Sequence, residues 1–254
     1  MKITDPAYNY DKCGSQYSVQ RTTDPAIANF IYKVLGNAKT VINVGAGAGS
    51  YEPADRYVIA VEPSFAMRSQ RSSLHKVPAI ISTADTLPFD DDSFDVAMAI
   101  ITVHHWPDIK KGLQELKRVT KNRIIVMTFD PDALDNFWNA AYFPEVIEVE
   151  RQRYPTIEFL VNALEGKSSI ETVPIPLHCT DGFQEAFYGR PEAFLHKEVR
   201  KAQSAWGFIP EEEQEEMVKR LADDLQSGAW DQKYGHYRTQ PTFIGALRLV
   251  IADY

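Results

Sequence analysis

The sequence is poor in cysteine and has no excess of positive charge. Its two cysteines, Cys13 and Cys179, lie far apart and outside any CxxC spacing, which excludes a disulfide framework and a cysteine-rich zinc site. The formal net charge is −8, and nucleic acids and anionic membranes both bind clusters of Lys and Arg. We therefore expect no nucleic-acid partner and a location in the reducing cytoplasm.

The chain also has no long apolar run. The N-terminal segment "MKITDPAYNY" lacks the apolar core of a signal peptide, and no segment is long and apolar enough to span a bilayer. With 44% hydrophobic and 24% charged residues, the composition is that of a soluble globular protein. We expect one large domain, or a domain with an insertion, and no membrane partner.

Short apolar runs rich in β-branched residues alternate with amphipathic helices. Helices are predicted over 24–36, with Asp24 as the cap and Gly36 as the end, and over 107–121. Strands that are apolar throughout need cover on both faces, so the pattern predicts an α/β doubly wound, mostly parallel sheet. The predicted strands are 40–44, 57–62, 94–100, 123–129 and 246–254.

The pattern changes from about residue 130. Aromatic-rich helical segments are followed by "SIETVPIPLHC" (169–179), whose two prolines predict an edge strand. The acidic run "PEEEQEEMVKRLADDLQSG" is interpreted as a solvated helix. We predict a main domain of residues 1–179 and 241–254, and a helical insertion or lid of residues 180–240 that forms part of the substrate pocket.

Aromatic residues are concentrated in this second half. Core packing would explain most of them, and the remainder would line an apolar or planar acceptor pocket. They are Phe137, Trp138, Tyr142, Phe143, Phe183, Phe187 and Tyr188.

Three glycines directly follow the first predicted strand, in "TVINVGAGAGSYEP". Glycines let backbone N–H groups approach a ligand closely and permit positive φ. Gly45, Gly47 and Gly49 give the spacing G-x-G-x-G, and Ser50 stands where the dinucleotide fingerprint has its third glycine. The spacing points away from a pyrophosphate site.

An acidic residue, Glu62, ends the second predicted strand in "VIAVEPS". A carboxylate at this position can accept hydrogen bonds from both hydroxyls of a ribose, although a strand-end acid can also simply cap the next turn. The glycine loop and the acid together predict a nucleoside ligand.

Four segments resemble the class I S-adenosylmethionine-dependent methyltransferases, within the methyltransferase type 11 group that includes ubiquinone and menaquinone biosynthesis enzymes. The resemblance covers about residues 8–130 and implies a seven-stranded Rossmann-like methyltransferase fold with S-adenosyl-L-methionine as the cofactor. The segments are "VINVGAGAGS", "VIAVEPS", "STADTLPFDDDSFDVAMA" and "VHHWPDIKKGLQELKRV".

The resemblance implies roles for residues of the loop and of the second strand. Gly45, Ala46 and Gly47 would lie under the methionine and ribose portions of the cofactor. Glu62 would hold the ribose hydroxyls, and Pro63, with the following serine, would flank the adenine.

Further cofactor contacts follow from the third and fourth segments. Ala84 would meet the adenine edge through its backbone, with Thr83 beside it. The family often has Asp at the position of Thr83, and Asp85 is a possible substitute. The turn from Ile100 to His105 would pass beside the sulfonium.

An N-terminal pattern of aromatic and basic residues also matches the family. Tyr10, Tyr17 and Arg21 would fold over the methionine end, with Tyr10 also meeting the substrate. The guanidinium of Arg21 could bind the methionine carboxylate bidentately, or it could form only a surface ion pair.

The family usually has a full helix after the glycine loop, and this chain departs from that pattern. Only "SYEPADR" separates Gly49 from the second strand. We expect the helix to be reduced to a turn, or the loop itself to pack on the cofactor.

Methyl transfer from a sulfonium requires collinear donor and acceptor, exclusion of water and, for some acceptors, removal of a proton. His104 and His105 are candidate bases because imidazole titrates near neutral pH, but both can instead be structural. Adjacent histidines rarely converge on one ion, so no metal is predicted. His178 and Tyr188 are predicted to face the acceptor.

The sequence thus predicts a methyltransferase acting on N, O or C of a small-molecule acceptor. One alternative is a nicotinamide-dependent oxidoreductase, which would require the spacing that Ser50 interrupts. Another is a non-catalytic nucleoside-binding protein of the same fold, because methyl transfer needs no obligatory catalytic side chain.

Overall fold

A computed structural model describes residue 11 and residues 17–254, with side chains for residue 11 and from residue 19 onward. Tyr10 and the side chain of Tyr17 lie outside the described residues. Eight strands are described: β1 (Thr40–Val44), β2 (Tyr57–Val61), β3 (Phe94–Ile100), β4 (Thr120–Phe129), β5 (Lys167–Thr172), β6 (Ile175–Pro176), β7 (Thr242–Phe243) and β8 (Leu247–Asp253).

Ten α-helices surround these strands in the described part of the chain, together with short 3-10 turns. They are α1 (Tyr17–Gln20), α2 (Pro25–Leu35), α3 (Phe65–Ser73), α4 (Ile109–Val119), α5 (Asn139–Tyr142), α6 (Pro144–Arg153), α7 (Ile157–Leu164), α8 (Lys197–Lys201), α9 (Glu211–Ser227) and α10 (Ala229–Tyr234). No helix among these residues is long and apolar enough to cross a membrane.

The main sheet has six strands in the order β2-β1-β3-β4-β8-β5. β2, β1, β3 and β4 are parallel, and β8 runs antiparallel to both of its neighbours. The predicted α/β, mostly parallel class is confirmed. The chain moves from β1 outward to β2 and then back to β3 on the other side, so the strand order reverses between β1 and β3. Ligands of open α/β sheets bind at such a reversal.

The sheet has six strands where seven were predicted. Beyond β2, Ile80 forms a single parallel bridge with Val61. Its N–H donates to the Ala60 carbonyl at 2.8 Å, and its own carbonyl accepts from Glu62 N at 3.0 Å. Pro78, two residues earlier, has no N–H to donate and so opposes a longer ladder at this edge.

Both faces of the sheet are covered, as the uniformly apolar strands require. On one face, Val41, Val96 and Met98 pack with Ile27 and Ile31 of α2. On the other, Ile42, Ala97 and Val126 pack with Leu113 of α4 and Leu160 of α7. Alternate strand residues therefore enter opposite cores, and each fully buried Leu or Ile contributes roughly 1.5–3 kcal/mol.

Local capping explains the helix that precedes β1. The Asp24 carboxylate accepts hydrogen bonds from Ala26 N at 2.9 Å and Ile27 N at 3.2 Å. Pro25 occupies the first helical position, where a missing N–H is harmless, and Gly36 caps the end. The predicted cap and bounds are confirmed.

The predicted strand over 169–179 is divided in two. β5 pairs only with β8 within the described chain and is an edge strand, as the prolines suggested. After Pro174 the chain continues as β6, which pairs with β7 through Ile175 and Phe243. This short ladder brings together the two ends of residues 180–240. That segment contributes Phe194, Trp206 and Trp230 to the same core as α2.

The acidic run forms α9, with Glu211, Glu212 and Glu213 in its first turn. Met217 and Leu221 are its buried residues. Carboxylates at a helix N-terminus interact favourably with the helix dipole. The interpretation as a largely solvated helix is confirmed.

Candidate functional site

A cavity of about 320 Å³ opens at the carboxyl ends of β1 and β3, at the reversal of strand order. We call it the first cavity. Val44 pairs with Val61 in the register between β1 and β2, so the two strands end level. The glycine loop and Glu62 consequently meet at the same edge of the sheet, and both line the cavity.

The glycine loop adopts a conformation that requires glycine at two positions. Gly45 has φ +70°, and a Cβ there would lie 2.0 Å from Thr102 Oγ1. Gly47 has φ +51°, and no described atom lies within 4 Å of where its Cβ would be. The first glycine therefore permits close packing against the turn after β3. The second has open space around it and lines the cavity, so no side chain of its own separates its backbone from a ligand.

Glu62 is held in place by backbone donors. Its Oε2 accepts from Gly47 N at 2.8 Å and its Oε1 accepts from Ser64 N at 2.8 Å. Burial raises the pKa of the carboxyl above its ordinary value, while the two N–H groups act in the opposite direction. Each oxygen can accept a further hydrogen bond, so the carboxylate can engage two hydroxyl groups.

A buried ion pair packs next to the glycine loop. The Arg71 guanidinium binds both Glu52 oxygens, at 2.9 and 3.0 Å, and the side chains are only 1% and 7% exposed. Asn43 Nδ2 also donates to Glu52 at 3.1 Å. Residues 50–56 form turns with no helix, which confirms the prediction of a reduced element. Glu52 and Arg71 were not predicted from the sequence, since nothing in their spacing marks them as a pair.

The turn after β3 contains backbone strain. Ile101 has φ +50°, a conformation that is unfavourable for a β-branched residue and that tends to occur at functional sites. Its N–H donates to the Met127 carbonyl at 2.7 Å, which holds the turn against β4. Ile101 and Thr102 both line the first cavity.

An ion pair joins the N-terminal segment to the 180–240 segment at the rim of the first cavity. Arg21 Nε lies 2.6 Å from Asp181 Oδ1, with side-chain exposures of 11% and 2%. The Tyr51 hydroxyl donates to Asp181 Oδ2 at 2.9 Å. All three residues line the cavity. Asp181 and Tyr51 were not predicted from the sequence.

A second, smaller cavity of about 40 Å³ adjoins the first. Arg21, Ile101 and His105 line both cavities. The wall of the second cavity combines aromatic faces with buried polar side chains. These are Phe129, Phe137, Tyr154 and Phe183, and Asn139, Glu150, Glu185 and Gln203.

The two histidines lie at this junction. Their ring centroids are 3.8 Å apart, His104 borders the second cavity, and His105 borders both. Burial lowers the pKa of each well below the ordinary value, and the nearby cations Arg153 and Arg21 lower it further. Both rings are therefore neutral near pH 7.

The contact between Arg153 and His105 also specifies a tautomer. Arg153 NH2 lies 3.1 Å from His105 Nδ1, and because a guanidinium only donates, Nδ1 is the acceptor and the neutral ring carries its proton on Nε2. The accepting nitrogen is thus occupied and its basicity is reduced. The general-base role of the histidines stays a prediction, and this environment weighs against it.

Most of the predicted cofactor residues line the first cavity. Asp85, the possible substitute at the adenine edge, is not among its lining residues. Tyr10 and the side chain of Tyr17 lie outside the described residues. The predicted residues that line it are Arg21, Gly45, Ala46, Gly47, Glu62, Pro63, Thr83, Ala84, Ile100 and His105.

The two residues predicted to face the acceptor from the second half do not line either cavity. His178 is exposed. Tyr188 is fully buried, stacks on Phe243, and donates its hydroxyl to the Gln240 carbonyl at 2.7 Å. Its polar atom is used within the core, so the substrate-binding assignment of Tyr188 is corrected to core packing.

The first cavity suits a ligand that combines a sugar with groups able to donate and accept hydrogen bonds. Asn43 Oδ1 and Trp106 Nε1 are buried, and neither has a hydrogen-bond partner among the residues described. Both residues line the cavity, as does the open position at Gly47. In the described chain, no group of three His, Cys, Asp or Glu residues is arranged to hold a metal ion.

The sheet defines a Rossmann-like α/β protein, and the first cavity lies at the reversal of strand order where ligands of such sheets bind. Residues 42–127 match the family model described as a methyltransferase domain. Over these residues the chain is therefore similar to the S-adenosylmethionine-dependent methyltransferases, whose cofactor is S-adenosyl-L-methionine.

Two relatives show how far sequence similarity extends. An uncharacterised methyltransferase of Bacillus subtilis (YcgJ) is 32% identical over 117 residues, covering 39% of this chain and 45% of the relative. A malonyl-[acyl-carrier protein] O-methyltransferase of Halorhodospira halophila is 23% identical over 142 residues, covering 50% and 48%. The chain thus spans about half the length of these relatives.

A solved structure is similar over almost the whole chain. It is a protein of Anabaena variabilis described as a proposed methyltransferase from an antibiotic biosynthesis pathway. The TM-score is 0.84 at 27% identity, covering 92% of this chain and 99% of the other. The similarity extends well beyond residues 42–127, into the half that supplies most of the second cavity.

Proposed function

We propose that the protein catalyses methyl transfer from S-adenosyl-L-methionine to N, O or C of a small-molecule acceptor. The observation that carries the proposal is the position of Glu62, anchored by Gly47 N and Ser64 N and lining a cavity of about 320 Å³. Glu62 would hold the ribose hydroxyls, and the backbone of Gly45 to Gly47 would lie under the ribose and methionine portions.

Other lining residues would hold the remaining parts of the cofactor. Pro63, Thr83 and Ala84 would border the adenine, and Ile100 and His105 would lie near the sulfonium. Arg21 would interact with the methionine carboxylate, although its ion pair with Asp181 already occupies one edge of the guanidinium. S-adenosyl-L-methionine, when bound, supplies a methyl carbon to which the acceptor lone pair bonds as the carbon–sulfur bond breaks, releasing S-adenosylhomocysteine and the acceptor's proton.

The chain's own contribution is mainly positioning and exclusion of water. The strained turn at Ile101 lies between the two cavities, so an acceptor in the second cavity would approach along one side of it. Holding the cofactor and the acceptor in this way replaces a bimolecular encounter with an oriented one. Because the methyl donor is already activated, this orientation accounts for a large part of the catalysis. The neutral histidines would assist as hydrogen-bond donors.

We further propose that residues 180–240 act as the insertion that completes the acceptor site. In support, Phe183, Glu185 and Gln203 line the second cavity and Asp181 lines the first. The net charge of −8 and the two cysteines support a small molecule as the acceptor, rather than a nucleic acid, and a cytoplasmic location.

Calorimetric titration with S-adenosyl-L-methionine, S-adenosylhomocysteine and NAD tests the cofactor. We expect binding of the first two and none of NAD. Transfer of an isotopically labelled methyl group to a library of small amines, alcohols, phenols and carbon acids then tests turnover. Binding without transfer to any acceptor would favour the non-catalytic alternative, and selective binding of NAD would favour the oxidoreductase.

A further inference from the structure

The second cavity has an unusual chemical bias: four of its five unpaired polar atoms are side-chain oxygens able to accept hydrogen bonds, and the fifth is a histidine ring nitrogen. Five buried side chains in its wall each leave one such atom without a hydrogen-bond partner among the described residues. All five residues are at most 8% exposed. The atoms are His104 Nδ1, Asn139 Oδ1, Glu150 Oε2, Glu185 Oε2 and Gln203 Oε1.

The bias arises because the donors of the same side chains are used within the protein. Asn139 Nδ2 donates to Gln184 Oε1, and Gln184 Nε2 donates to Glu150 Oε1 at 3.4 Å. Gln203 Nε2 donates to the Val199 carbonyl at 3.1 Å. Asn139 and Gln203 therefore each donate an N–H to a protein partner, and the amide oxygen of each remains an unpaired acceptor.

The carboxyl of Glu185 also has one oxygen that is hydrogen-bonded within the protein and one that is not. Glu185 Oε1 accepts from Ala246 N at 2.7 Å, while Oε2 has no partner in the described chain. Buried polar atoms are rarely left unsatisfied in native proteins, and each costs roughly 1–3 kcal/mol when it is. Five unpaired polar atoms in one cavity indicate that the cavity binds a ligand that supplies several hydrogen-bond donors.

Charge and shape narrow the choice of occupant. Arg21 is the only Lys or Arg among the lining residues, and Asp181 pairs with it. Burial raises the pKa of both Glu150 and Glu185, and a cation bound beside them would stabilise their charged forms. The aromatic faces of Phe129, Phe137 and Phe183 can interact favourably with a cation. The volume of about 40 Å³ holds roughly three water molecules or one compact polar head group.

We propose that the second cavity recognises the amino group of a small amine-bearing methyl acceptor. A protonated amine has three donors and a positive charge, an alcohol has one donor, and a carboxylate has none. The apolar body of the acceptor would extend toward the junction with the first cavity at Ile101. This inference rests on the proposed function, since it identifies the class of acceptor for the same site.

The test uses the full chain saturated with S-adenosylhomocysteine and three probes with a common stem: butylamine, butan-1-ol and butyrate. Dissociation constants are measured by ligand-observed NMR. We expect butylamine to bind about tenfold or more tightly than butan-1-ol, and butyrate not to compete. Equal affinities, or a preference for butyrate, would overturn the proposal, as would a high-resolution structure in butylamine with only ordered waters on the five unpaired atoms.

Charge-neutral variants connect the preference to the cavity. Glu150→Gln and Glu185→Gln should each weaken butylamine binding about tenfold and leave butan-1-ol binding little changed. Glu145→Gln, exposed on the same helix as Glu150, is the matched control and should have no effect. If Glu185→Gln fails to fold, Glu150→Gln and Gln203→Leu decide the question. Unchanged amine affinity in the folded variants would refute the assignment.

The binding of S-adenosylhomocysteine separates the two proposals. If the protein does not bind this product, the proposed function fails. If binding is intact and the three probes do not differ, only the amine assignment fails.

Discussion

Arg21 and Asp181 are 160 residues apart in the sequence, yet Arg21 Nε donates to Asp181 Oδ1 at 2.6 Å. The same carboxylate accepts from the Tyr51 hydroxyl, so three distant segments converge on one buried charge at the rim of the first cavity. Their backbones also meet, through an isolated bridge between Arg21 and Asp181. The contact connects the 180–240 segment to the glycine loop region.

Replacing Asp181 with Asn should lower the free energy of unfolding by about 3 kcal/mol, because Arg21 then loses its counter-charge in a buried setting. Asp253→Asn is a matched control. Its partner Arg123 also lies at 2.6 Å, but the two side chains are 32% and 44% exposed, so a change of about 1 kcal/mol or less is expected. Urea denaturation followed by circular dichroism measures both, and equal effects would argue against a special role for the buried pair.

Glu62→Gln should weaken the binding of S-adenosylhomocysteine about tenfold to a hundredfold. The amide removes the charge and places an NH2 group against one of the two N–H donors that now bind the carboxylate. Isothermal titration calorimetry gives the affinity. Glu171→Gln, on the exposed part of β5, should leave it unchanged. An unaltered affinity in Glu62→Gln would contradict the role of this residue in holding the ribose.

Gly47→Ala should separate effects on binding from effects on folding. Alanine at positive φ costs about 1 kcal/mol of stability, and the added methyl group would enter open space at a residue that lines the first cavity. Gly228 also has positive φ, and no described atom lies within 4 Å of where its Cβ would be. Gly228→Ala should therefore cause a similar loss of stability.

Only Gly47→Ala should also lose affinity for S-adenosylhomocysteine, by about tenfold, since hydrogen bonding to the loop backbone is obstructed. Comparable affinity losses in the two variants would show that the effect is a general consequence of destabilisation.

Arg153→Met should raise the pKa of His105 toward its ordinary value. Burial is the larger cause of the depressed pKa and remains, but the nearest cation is removed. NMR titration of the imidazole resonances measures the shift. Arg151→Met, two residues away at an exposed position paired with Asp135, is the control and should not move it. No change in Arg153→Met would mean that Arg153 does not govern the protonation of this histidine.

Glu185 predicts a specific pH dependence of stability. Burial raises its pKa from 4.5 to about 7 in the folded protein, so the protonated form is favoured on folding. The resulting contribution is fully present below about pH 4.5 and is lost as the pH rises through 7. Relative to Glu185→Gln, the wild-type protein should thus lose about 3 kcal/mol of unfolding free energy across this range.

Chemical denaturation of both proteins at half-unit pH intervals tests this dependence. Glu171→Gln, compared with the wild type in the same way, should show no trend. Parallel pH profiles for the wild type and Glu185→Gln would contradict the raised pKa.

The sequence by itself determined the class of fold and predicted which residues would line a cavity at the carboxyl ends of β1 and β3. Local patterns suffice for this, because β-branched runs such as 40–44, the cap at Asp24 and the spacing of Gly45 and Gly47 depend on neighbours within a few residues. The position of Glu62 beside the glycine loop could be predicted because two parallel strands that start a βαβ unit end at the same edge of the sheet. The absence of a full helix after Gly49 could be predicted because the segment between Gly49 and the second strand is too short to contain one.

Only the tertiary structure decided how the rest of the site is assembled. The acceptor atoms of the second cavity come from Asn139, Glu150, Glu185 and Gln203, which lie on separate elements and share no spacing that a sequence pattern could reveal. The failed assignment of Tyr188 has the same origin, because whether an aromatic residue faces a cavity or the core depends on packing between distant segments. Burial and long-range contacts with charged groups, which set the charge of His105 and of Glu185, exist only once the chain has folded.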